Sequence, residues 1–72
     1  MIESRITAMV VKSEGEPLFT EKSFGVSIED EGGGEFIVVE RRLSGYERIA
    51  INPEEWPVLR DAIDQMIEEC QG

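Results

Sequence analysis

The sequence predicts an α+β fold: a four-stranded antiparallel meander sheet followed by one C-terminal helix (β-β-β-β-α). Three observations predict it. Alternating apolar residues recur in four stretches before residue 52, the period-2 signature of strands with one wet face. Short segments containing Gly, Ser or Pro separate those stretches, and connections that short join antiparallel neighbours. After Asn52-Pro53 the apolar spacing changes to threes and fours, the period of a helix.

Residues 2–12, IESRITAMVVK, read as the first strand, with Ile2, Ile6, Ala8 and Val10 on one parity. Met9 and Val11 are apolar on the other parity, so the register of this strand stays open. Gly15 and Pro17 make 13–21 a loop. In 22–30, KSFGVSIED, Phe24, Val26 and Ile28 face one way and Ser23, Gly25, Ser27 and Glu29 the other. Gly32-Gly33-Gly34 supply a turn that tolerates positive φ. Residues 35–43, EFIVVERRL, form the third strand, Ser44-Gly45 a tight turn, and 46–52, YERIAIN, the fourth strand.

Asn52 is placed to cap a helix, Pro53 suits the first helical position, and Glu55 completes a capping-box pattern. Pro57 opposes a regular first turn, so the expectation is a 3₁₀-like turn over 53–56 with the regular helix starting near Pro57. At about 100° per residue, Trp56, Leu59, Ala62, Ile63, Met66, Ile67 and Cys70 fill an arc of about 140°. Asp61, Asp64, Gln65 and Glu68 lie opposite.

The 72 residues make one domain, 1–72. A chain this short has a marginal core. One cysteine and no histidine exclude an internal disulfide and the usual zinc ligands, which leaves dimerisation as the added support. Trp56, Leu59, Ile63, Met66 and Ile67 are the expected core or dimer seam of the helix. No apolar run approaches the ~20 residues of a membrane span, and the N-terminus lacks a basic-then-apolar signal pattern. The expectation is a soluble cytoplasmic protein, nucleoid-associated if it binds DNA.

The net charge of −9 has an address. Four acids and no base occupy 29–35, and six acids with one base occupy 53–72; the remaining residues balance six against six. A strongly acidic chain is not drawn non-specifically to nucleic acid or anionic membrane, yet the neutral part has room for a locally positive strip. EDEGGGE lacks the spacing of a calcium loop and joins two strands, so it reads as a solvated hairpin tip. Cys70 has no histidine to activate it. The pairs Asp61/Asp64 and Glu68/Glu69 read as solvated helix-face carboxylates. The chain reads as a non-enzyme that needs no cofactor.

One helix covers one side of the sheet. With Val26, Ile28, Ile37, Val39, Ile49 and Ile51 under it, alternation leaves Ser27, Glu29, Phe36, Val38, Glu40, Arg42, Tyr46 and Arg48 on the open side. That side reads as two aromatics, an exposed valine and two arginines. Phe36, Arg42, Tyr46 and Arg48 are the candidate nucleic-acid-binding residues, because bases stack on aromatic rings while arginines hold phosphates. The competing reading is that Phe36 and Val38 pack against a second subunit. Arg41 points to the opposite side from Arg42 and reads as a surface salt-pairing residue.

The run IAINPEEWPVLRDAIDQMI resembles the strand–helix junction of the transcriptional positive cofactor four family, the single-stranded-DNA-binding coactivators. Ile49, Ile51, Asn52, Pro53, Glu54, Glu55, Trp56, Leu59 and Ile63 fall in matching places. FGVSIED and EFIVVERR look like that family's second and third strands, so the likeness covers about residues 22–68. It implies a curved sheet plus helix, pairing of two subunits largely through their helices, and single-stranded DNA on the concave sheet faces. Glu29 and Glu40 stand where the family commonly carries bases, and the basic, serine-rich tail of the eukaryotic members is absent. The likeness is therefore to the domain-only bacterial or viral forms.

The functional expectation is sequence-independent binding of single-stranded DNA or RNA by a homodimer, in transcription or replication. The alternative is an acidic homodimeric protein-interaction module that binds no nucleic acid.

Overall fold

Glycine sets the first hairpin. Gly32 and Gly34 adopt φ of 103° and 116°, a region that L side chains avoid. The Asp30 carboxylate accepts a hydrogen bond from the Gly32 N–H at 2.7 Å, fixing the entry to the turn. A computed structural model describes residues 1–18, 20, 22–41 and 47–72. In it the expected α+β order is realised: β1 Ala8–Val11, β2 Phe24–Asp30, β3 Glu35–Arg41, β4 Glu47–Ile51, a 3₁₀ turn Pro53–Glu55, and α1 Trp56–Gln71. The strands form one antiparallel meander, β1-β2-β3-β4.

The first strand is shorter than the sequence suggests. β1 pairs Ala8 with Ser27 and Val11 with Phe24, and the Ile28 N–H donates to the Thr7 carbonyl at 2.8 Å. Beyond that point β2 runs into the glycine turn and has little ladder left to offer. Residues 1–7 form no strand. Arg5 instead clamps Glu35 with two hydrogen bonds of 2.6 and 3.0 Å. The register also settles the parity of β1. Met9 lies opposite Val26 and joins the apolar side, while Ala8 and Val10 join the other.

The register places Val26, Ile28, Ile37, Val39, Ile49 and Ile51 on one face, as expected. Arg41 lies on this face too, but it makes no ion pair among the described residues, where the sequence reading expected surface salt pairing. Its guanidinium carbon sits 4.3 Å from the centre of the Phe24 ring, directly across the β2–β3 ladder.

At the junction the Asn52 N–H donates to the Glu55 carboxylate at 2.8 Å, and the Glu55 N–H donates to the Asn52 carbonyl at 2.9 Å. This reciprocal closure produces the expected 3₁₀ turn and stops the strand period where the sequence changes. The regular helix then starts at Trp56, one residue before Pro57.

The helix covers little of the sheet. Trp56 and Pro53 lie against Val26, Ile37, Val39 and Ile51, around an apolar hollow of about 360 Å³. Farther on, Val58, Leu59 and Ala62 flank β4 beside Ile49 and Ile51. No residue of α1 is buried, and Ile49 remains 62% exposed. Among the described residues only Val38 and Ile51 are buried hydrophobic side chains. The radius of gyration is 14.8 Å, against about 11 Å for a compact chain of this length. No helix among the described residues is long and apolar enough to cross a membrane.

Candidate nucleic-acid interface

The face away from Trp56 is built by the other parity of each strand. It carries Ala8 and Val10 from β1, Gly25, Ser27 and Glu29 from β2, Phe36, Val38 and Glu40 from β3, and Arg48 and Ala50 from β4. Ala8, Gly25, Ser27 and Ala50 are small, while Glu29, Phe36, Glu40 and Arg48 carry the long side chains of this face. Phe36 is half-buried and lies opposite Glu29. Arg48 lies opposite Glu40. Four residues of β3, roughly 13 Å of strand, separate the Phe36 and Arg48 levels.

Arg48 organises the centre of this face. Its Nη2 donates to Glu29 Oε2, and its Nε lies 3.6 Å from Glu40 Oε1. Glu29 belongs to β2 and Arg48 to β4, so the pair spans the intervening strand. The line between them crosses β3 between the levels of Phe36 and Glu40, over Val38. That explains a departure from the sequence reading, which left Val38 exposed: Val38 is 0% exposed. Its cross-strand neighbours Ser27 and Ala50 are short, and the charged side chains close over it with their apolar stems. Gly25 lies directly opposite Glu40; a Cβ there would meet Glu40 only in ordinary contact, 4.0 Å from its Cβ and Oε2.

Of the four candidate binding residues, the structure puts Phe36 and Arg48 on one face. Arg42 and Tyr46 lie outside the described residues, as does the Ser44-Gly45 turn. Sequence reasoning took Glu29 and Glu40 as departures from a basic face and missed their role as the partners of Arg48. The signal that identifies them is cross-strand register, which places opposite charges face to face. Among the described residues this face holds two carboxylates and one guanidinium.

The helix residues singled out from sequence behave as a group. Ile63, Met66, Ile67 and Cys70 line one apolar groove with Ala62, and Met66 is 64% exposed. Trp56, 46% exposed, begins the same stripe. Arg60 and Asp64, on the polar side, approach to 3.9 Å. No group of three or more Cys, Asp or Glu is placed to hold a metal ion among the described residues.

The Arg5–Glu35 clamp is the titratable feature at the rim of the sheet. The hydrogen bond from Arg5 is the main cause that lowers the Glu35 carboxyl below its usual range, and the Arg5 guanidinium is raised correspondingly.

No protein-family model matches the chain, and comparison with curated proteins and with solved structures gives no match.

Proposed function

We propose that the chain is a sequence-independent single-stranded nucleic-acid-binding protein that works as a homodimer, with a cofactor role in transcription or replication. The observation that carries this reading is the sheet face opposite Trp56. The helix leaves it bare, small side chains floor it, and Phe36 and Arg48 share it. Phe36 stacks a base and Arg48 holds a phosphate, with Arg42 and Tyr46 assigned to the same side by sequence alternation. The second copy covers the apolar stripe of α1 and the part of the sheet that Trp56 leaves open. The capped junction Asn52–Trp56, where the resemblance to the single-stranded-DNA-binding coactivators is concentrated, adds support.

A second reading, an acidic homodimeric interaction module, draws on a different observation: Arg48 already contacts two carboxylates on a chain of net charge −9. Fluorescence anisotropy with a labelled dT20 separates the two. The first reading expects binding at low salt that weakens steeply as salt is added. It also expects Phe36→Ala to cost about 1–3 kcal/mol of binding. No binding at low salt removes the first reading and leaves the second.

A further inference from the structure

We infer that Glu29 and Glu40 form a built-in competitor for Arg48, a carboxylate latch that a nucleic-acid phosphate must displace. The inference rests on the single-strand-binding reading of this face. Its geometry stands by itself. Two carboxylates from two different strands, β2 and β3, converge on one guanidinium from β4. A carboxylate and a phosphate oxygen ask the same thing of arginine, a charge-assisted hydrogen bond in the guanidinium plane. They therefore compete for the same N–H groups.

The latch is made to open. The side chains of Arg48, Glu29 and Glu40 are 43%, 35% and 32% exposed. Half-solvated ion pairs of this kind exchange readily, because water and salt screen them. The consequence is a guanidinium held by two carboxylates, on a face of net negative charge among the described residues, until a polyanion of sufficient local charge density arrives. Short or weakly charged ligands do not displace both carboxylates, and a strand presenting several phosphates does.

The experiment compares dT20 affinity for the wild-type chain, Glu29→Gln, Glu40→Gln and the double variant. Glutamine keeps the shape and the hydrogen-bonding oxygen while removing the charge. The control is Glu54→Gln/Glu68→Gln, which changes net charge equally at exposed sites away from this face. The double latch variant gains roughly tenfold in affinity over wild type, each single variant gains less, and the control gains clearly less than the double. The gain disappears in an Arg48→Gln background. In parallel, phenylglyoxal modification of Arg48, mapped by mass spectrometry without nucleic acid, is faster in the double latch variant. Equal gains in the latch and control pairs, a gain that persists without Arg48, or unchanged phenylglyoxal reactivity overturns the latch. Equal binding by wild type and the latch variant overturns the latch and keeps the binding reading. Failure of every variant to bind dT20 overturns both.

Discussion

The Arg41 guanidinium lies over the Phe24 ring, 4.3 Å from its centre, across the β2–β3 ladder on the Trp56 side of the sheet. Strand parity places this arginine away from the face proposed to bind nucleic acid, and the contact uses it to shield an aromatic ring. Arg41 Nε is buried without a hydrogen-bond partner among the described residues, so part of the attraction offsets a desolvation cost.

Two substitutions weigh that balance. Arg41→Met keeps the apolar stem, removes the cation–ring attraction and also removes the unpartnered donor. It is expected to change stability by less than about 1 kcal/mol. Phe24→Ala strips the larger surface and is expected to cost about 2 kcal/mol or more. Urea unfolding at fixed protein concentration checks both. A larger loss for Arg41→Met than for Phe24→Ala would show that the cation, not the ring's packing, holds this end of the sheet.

The junction has its own test. The Glu55 carboxylate accepts the Asn52 N–H, a donor that otherwise ends both the strand ladder and the turn without a partner. Glu55→Ala is expected to cost about 1 kcal/mol. Glu55→Gln retains an oxygen acceptor and is expected to lose less. Thermal melts followed at 222 nm measure the order Glu, Gln, Ala; an alanine variant as stable as wild type contradicts the role.

The rim clamp predicts a direction with pH. Glu35 has a folded-state pKa below its unfolded value, mainly through the hydrogen bond from Arg5. Its stabilising contribution is therefore complete above the unfolded carboxyl range, about 4.3, and is lost as pH falls through the lower folded value. Arg5 is shifted upward from an already high value, and it stays charged throughout that window. Denaturant midpoints for wild type and Glu35→Gln are expected to converge as the medium is acidified below the ordinary glutamate range. The gap between them is expected to be constant from neutral pH down to about pH 6. A gap that opens on acidification reverses the sign and refutes the assignment.

Much of this architecture was legible because each local signal had one physical meaning. Alternation assigned Val26, Ile28, Ile37, Val39, Ile49 and Ile51 to one face. Asn52-Pro53 with Glu55 announced a helix start, and Pro57 announced its 3₁₀ entry. What stayed hidden depends on pairing between strands. Alternation put Glu29, Val38, Glu40 and Arg48 on one face, but it does not say which of them meet; the sheet pairs Arg48 with Glu40 and brings it to Glu29. Without those pairings Val38 read as exposed, and Glu29 and Glu40 read as misfits. The parity of β1 was hidden for the same reason, since Met9 and Ala8 are both apolar and only pairing to β2 separates them.

The thin core gives the last prediction. With only Val38 and Ile51 buried as hydrophobic side chains among the described residues, the chain leaves most of its apolar surface for the proposed second copy. Folding and association are then one equilibrium, and the melting temperature rises with protein concentration. Met66→Asp and Ile63→Asp place a charge in the groove shared with Ala62, Ile67 and Cys70, where an unpaired carboxylate costs several kcal/mol once desolvated. Asp61→Lys, on the polar side of α1, serves as the control. Sedimentation equilibrium is expected to give a dimer mass for wild type and Asp61→Lys. The Met66 and Ile63 variants are expected to sediment as monomers with reduced helix content and no cooperative melt. A wild-type chain that sediments as a monomer with a sharp, concentration-independent melt would mean that these few buried side chains suffice, and the apolar stripe from Trp56 to Cys70 would need another explanation.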